Sequence, residues 1–150
     1  MTKPVRSILC PVDFSAASEE AARYAVSLAQ ALGAERITFL HVFQPPIYPV
    51  GEASHTLLDE TAHAALKDHF RREVEGLAKR HGGHGIEADA KLVEGYPHPV
   101  IVDTAREIGA DMIVLATHGR TGLGHFLLGS VAEKVVRTSP IPVCSVRVEE

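Results

Sequence analysis

Short, nearly unbroken apolar runs recur along this chain, separated by stretches in which apolar positions return every three or four residues. Runs 5–11, 36–43, 111–116 and 143–148 have strand length and β-branched content, and continuous apolarity suits strands covered on both faces. Residues 86–93 differ. Ile86, Ala88, Ala90 and Leu92 alternate with Glu87, Asp89 and Lys91, which predicts a strand with one wet side, near a sheet edge. Ser15 stands where an N-cap belongs, Ala21, Ala22, Ala25, Leu28, Ala29 and Leu32 follow at helical spacing, and Gly33 marks the stop. Leu58, Ala62, Ala65, Leu66, Phe70, Val74, Leu77 and Ala78 predict a long amphipathic helix over about 57–81. Val100, Ile101, Ala105 and Ile108 predict a third helix after a turn at 95–99, and Val131, Val135 and Val136 a fourth, ending before Ser139 and Pro140. Residues 44–51 carry three prolines and read as an exposed, mobile loop, because proline removes a donor and fixes φ.

Strand and helix alternate as βαβαβαβαβ with short connections, so the fold class is α/β: an open, mainly parallel sheet of five strands with helices on both faces. Ligands in such sheets sit beyond the carboxyl ends of strands where the strand order reverses. Attention therefore falls on Pro11, Val12 and Asp13, on Val42, and on residues 116–122. The 150 residues suit one domain, 1–150. A net charge of -4 with scattered Lys and Arg gives no footprint for nucleic acid or an anionic membrane, and no run approaches a membrane span or a signal-peptide core. A cytoplasmic protein is expected. Cys10 and Cys144 lie in strand-like runs and read as reduced, buried thiols, and the nine histidines form no metal-binding spacing.

The glycines of residues 119–129 are where chemistry is sought. Gly119, Gly122 and Gly124 do not form GxGxxG, since Leu127 stands where the last glycine belongs, and no Walker A string occurs. What remains is Gly119, nine intervening residues, and Gly129-Ser130 at the start of a helix. Helix N-terminal amides, a hydroxyl and Arg120 could hold phosphate; equally, the loop could be a tight turn and Ser130 a cap. Asp13 could close a turn or accept hydrogen bonds from a ribose or base. His41 and His118 read as structural or solvated, because no Ser or Cys nucleophile stands at an elbow.

These residues resemble the universal stress protein family. The resemblance is carried by Pro11-Val12-Asp13-Phe14-Ser15, Leu40-His41-Val42, Gly95-x-Pro97, Thr117-His118-Gly119-Arg120-Thr121-Gly122, Leu128-Gly129-Ser130-Val131-Ala132 and Pro140-Ile141-Pro142-Val143, and it spans essentially the whole chain. It implies a Rossmann-like sheet of the adenine-nucleotide α-hydrolase type. It also implies ATP, with Mg2+ as a possible companion, bound as a regulatory ligand in a stress response. Pro11, Val12, Asp13 and Val42 would surround the adenosine. Ala116, Thr117, His118, Gly119, Arg120, Thr121 and Gly122, with Gly129, Ser130, Val131 and Ala132, would hold ribose and phosphates. In the ATP-binding branch the motif is Gly, two residues, Gly, nine residues, Gly and Ser or Thr; here Ala116 replaces the first glycine. The alternative is a nucleotide-free, dimeric interaction module of the same fold. A homodimer through the C-terminal strand is implied in either case. No general base for fast hydrolysis can be named, so turnover is expected to be absent or slow. The first βα loop, PVDFS, also lacks the SGGxDS pattern of pyrophosphatase-type relatives.

Overall fold

A computed structural model describes residues 3–45, 47–50, 53–56, 59–118 and 128–148. Strand β1 (Ser7–Pro11) leads to helix α1 (Ala16–Leu32), β2 (Arg36–Phe43), β3 (Ile47–Val50) and β4 (Ala53–Thr56). Helix α2 (Glu60–His81), β5 (Glu87–Glu94), α3 (Pro97–Glu107), β6 (Met112–Ala116), α4 (Ser130–Thr138) and β7 (Val143–Val146) follow. The main sheet has the order β5-β2-β1-β6-β7 with every pairing parallel. The strand with the alternating pattern, β5, lies at one edge, as its wet side predicts.

Side chains of the central strands alternate between two cores. Ile8, Cys10, Ile37, Phe39 and Val114 pack with Ala22, Ala25 and Ala29 of α1 and Val74 and Leu77 of α2. Leu9, Leu40, Ile113 and Leu115 pack on the other face with Ile101 and Ala105 of α3 and Ala132 and Val135 of α4. Burial on both faces is why these strands read as continuous apolar runs. Cys10 is fully buried, and desolvation pushes its thiol up to about 12, so it stays protonated and packs as a small hydrophobe.

Several expectations are corrected. Residues 44–51 are not simply a loop: β3 and β4 form an antiparallel ribbon with Pro49 opposite Ser54. A two-stranded ribbon uses one edge of each strand, so a residue without N–H can be accommodated there. Helix α2 begins at Glu60 rather than near residue 57, because Asp59 accepts the Ala62 N–H at 2.7 Å as its cap. Leu57 and Leu58 lie outside the described residues. Residues 97–99 belong to α3 rather than to a turn, with Pro97 in the first helical position, where its missing N–H costs nothing. Strand β7 stops at Val146 rather than at 148.

Candidate functional site

The site begins with a missing hydrogen-bond donor. In a parallel ladder, successive residues turn their main-chain groups toward opposite neighbours. The Asp111 N–H reaches Ser7 O at 2.8 Å, so the odd residues of β1 face β6; the Val12 N–H reaches Leu40 O at 2.8 Å, so the even ones face β2. Pro11 falls in the β6-facing phase and has no N–H to give. Pairing of β1 with β6 covers Ile8 with Met112 and Leu9 with Ile113, whereas pairing with β2 continues to Pro11 and Leu40. The strands part at the point where the strand order reverses, and a cleft of about 350 Å3 opens there.

One wall is the end of β2. Leu40 faces β1, so Val42, two residues on, turns its N–H and C=O to the same side, where β1 has ended. In a continuing ladder the Val42 N–H would reach Val12 O. That carbonyl instead accepts from His41 Nδ1 at 2.8 Å. The His41 ring is buried, 4.7 Å from the ring of Phe14 and 4.6 Å from that of Phe70.

Asp13 also lines the cleft, and the start of α1 fixes it. Asp13 Oδ1 accepts from the Ser15 N–H at 3.0 Å and from Ser15 Oγ at 2.5 Å, while the Asp13 N–H donates to Ser18 Oγ at 3.3 Å. Ser15 in turn caps α1 by accepting the Ser18 N–H. Between Asp13 and Ser15, Phe14 holds a φ of 62°, a left-handed conformation unusual for a bulky residue.

The opposite wall joins β6 to α4. Ala116 is the last residue of β6 and is not among the residues with positive φ, so the position does not demand glycine's conformational freedom. The Thr117 N–H continues the ladder to Val146 O at 3.0 Å, and Thr117 O accepts the Gly129 N–H at 2.7 Å. This contact leaves no room for a side chain: a Cβ on Gly129 would stand 2.9 Å from Thr117 O. Gly129 thereby seats the start of α4 against the end of β6. The N-cap of α4 is Gly129, which has no side chain with which to cap it, so the N–H groups of its first turn, at the cleft, are unclaimed by the helix. Thr117 Oγ1 lies 2.9 Å from His118 Nδ1, and the buried His118 Nε2 has no hydrogen-bond partner among the described residues.

Residues 4–147 match the Universal stress protein family. Universal stress protein MJ0531 of Methanocaldococcus jannaschii is 34% identical over 143 residues, covering 95% of this chain and 82% of that protein. The chain belongs to the universal stress protein family. Universal stress protein MJ0577 of the same organism is 30% identical over 159 residues, and its solved structure superposes with a TM-score of 0.81 over 99% of both chains. A universal stress protein solved in complex with cAMP is 25% identical, with a TM-score of 0.68 over 98% of this chain and 100% of that one.

In this universal stress protein, Pro11, Val12, Asp13, Val42, Ala116, Thr117, His118, Gly129, Ser130, Val131 and Ala132 all line the one cleft. Gly119, Arg120, Thr121 and Gly122 lie outside the described residues. The lining also includes Ser18, His41, Gln44, Pro97 and Ile101, which the sequence reading did not select. Ser18 was findable, since it stands three residues after a predicted N-cap. Pro97 was hidden by the reading of 95–99 as a turn, and Ile101 stood only as an apolar position of the predicted third helix. Among the described residues no group of three His, Cys, Asp or Glu could hold a metal ion, and no helix is long and apolar enough to cross a membrane.

Proposed function

We propose that this universal stress protein binds adenine nucleotide, ATP with or without Mg2+, as a regulatory ligand that it holds rather than turns over, and that it pairs with a second copy through β7. The observation that carries the nucleotide reading is the glycine-headed start of α4, seated on Thr117 by Gly129, at the same cleft as Val42. Amides at a helix start suit phosphate. A donor and an acceptor on one residue suit adenine, whose N6 amino group donates and whose N1 accepts. Asp13, whose Oδ1 accepts from Ser15, lines the same cleft, and its carboxylate suits a ribose hydroxyl. The relative solved with cAMP supports the same ligand class.

The nucleotide-free alternative rests on Ala116, and the extended backbone there weakens it, because the substitution adds only a methyl group. Slow turnover follows from the role of Asp13: its Oδ1 is engaged by Ser15, and no second carboxylate stands among the described lining residues to activate water. Purified protein, acid-denatured and chromatographed, is expected to release adenine nucleotide. Saturating ATP and Mg2+, at about 100 times Kd, is expected to stabilise nucleotide-free protein by about 2.7 kcal/mol. No released nucleotide together with no thermal shift would end this reading.

For the dimer, β7 terminates the sheet order, so its outer edge has no neighbouring strand among the described residues. An edge of unpaired N–H and C=O groups is a template for strand addition. Sedimentation at micromolar concentration is expected to give twice the chain mass, and a monomer mass would overturn the pairing.

A further inference from the structure

We propose that His41 is a positioning residue that stops the β1–β2 ladder one bond early and so keeps the Val42 N–H available to a ligand; the ligand part of this inference rests on the adenine-nucleotide reading above. The Val12 carbonyl stands one residue past the end of β1. It is the acceptor that the Val42 N–H would find if the ladder ran one step further, since Val12 already donates to Leu40 O at 2.8 Å. A carbonyl can only accept, so His41 Nδ1 carries the proton in its 2.8 Å contact with Val12 O. The side chain of β2 has replaced the main chain of β2 as donor to β1. The substitution keeps the buried carbonyl satisfied while leaving the neighbouring amide facing the cleft.

The ring is held for this task. Phe14 and Phe70 lie on it at 4.7 and 4.6 Å between centroids, and His41 is only 7% exposed. An aliphatic residue would fill the volume but could not donate. Val12 O would then lose the His41 bond, and the donor that a continued ladder would bring to it is the Val42 N–H. The ladder would close by one bond, and the amide that suits adenine N1 would be consumed.

The test uses two variants of the full chain, His41→Leu, which removes the donor, and His41→Asn, whose amide N–H can stand in for Nδ1–H. Through-bond NMR coupling across the hydrogen bond from Val42 N to the Val12 carbonyl carbon is expected in His41→Leu and absent from wild type and His41→Asn. ATP affinity is expected to fall about tenfold in His41→Leu, the loss of one net hydrogen bond, and to recover in His41→Asn. The preference for ATP over inosine triphosphate, whose 6-oxo edge presents a donor at N1, is expected to shrink in His41→Leu alone. A purely structural role would weaken both nucleotides equally and create no new coupling. Coupling from Val42 to Val12 in wild type, or its absence from folded His41→Leu, would overturn the proposal. Should His41→Leu not fold, wild type decides alone, with coupling to Val12 expected from His41 Nδ1 and not from Val42. Wild type that binds no ATP would end the functional reading, yet the coupling would still decide the role of His41.

Discussion

Gly129→Val is expected to empty the proposed nucleotide site while leaving most of the fold standing. The reason is space rather than conformation, since Gly129 has a φ of −58° that any residue can adopt. A Cβ there would stand 2.9 Å from Thr117 O and 3.8 Å from His118 Cα, both main-chain atoms that cannot swing aside. The start of α4 would have to lift from the end of β6, losing the 2.7 Å bond from the Gly129 N–H to Thr117 O. Overpacking of this kind costs about 1–3 kcal/mol. The larger effect is expected on the proposed ligand, because lifting α4 would move its first-turn amides away from where phosphates would sit. ATP affinity is expected to drop about 100-fold, equivalent to one or two charge-assisted hydrogen bonds. Calorimetric titration well below the variant's melting temperature measures this, and an unchanged Kd would remove Gly129 from the site.

Asp111→Ala is expected to destabilise the protein by about 1–3 kcal/mol at neutral pH without touching the cleft. Asp111 Oδ2 accepts the N–H groups of Arg6 and Ser7 at 3.0 and 3.1 Å, and Oδ1 pairs with Lys3 Nζ at 2.5 Å. The carboxylate thereby fastens the entry to β1 onto the start of β6. The Lys3 hydrogen bond, joined by those of the two amides, holds the Asp111 carboxyl below the ordinary aspartate value despite the opposing effect of burial. A depressed folded-state pKa contributes stability that is present above the unfolded value, about 3.9, and is lost as pH falls through the folded one. The difference in stability between wild type and variant is therefore expected to be full near neutrality and to shrink below about pH 4. Urea unfolding across that range checks it; a difference constant with pH would mean that the carboxylate's charge is irrelevant.

Much of this arrangement is legible in the sequence, for identifiable reasons. The continuous apolar runs announced strands buried on both faces, and the alternation in Ile86 to Leu92 announced an edge. Pro11 was recognised as a strand exit, but its part in parting β1 from β6 depends on which neighbour it faces, and that phase is fixed only by register. His41 looked like any histidine in an apolar run because its partner, Val12 O, is main chain and leaves no mark in the sequence. Asp111 was equally silent, as its partners lie 104 and 105 residues away. The prolines of 44–51 argued against strands because they were weighed against a central sheet rather than a two-stranded ribbon.

Phe14 links the site to a helix that contributes no lining residue. Its left-handed backbone costs about 1–3 kcal/mol, and its ring is set against Phe70 of α2 at 6.0 Å and against His41 of β2. The loop that carries Asp13 is thus clamped from behind by α2. If that helix undocks, the loop can relax to ordinary backbone and the site is dismantled with no ligand contact broken first. By reciprocity, whatever free energy a ligand gains from the ordered Asp13 loop is returned as tighter docking of α2. A nucleotide bound at the carboxyl ends of the strands would in this way set the mobility of a helix that does not line its cleft.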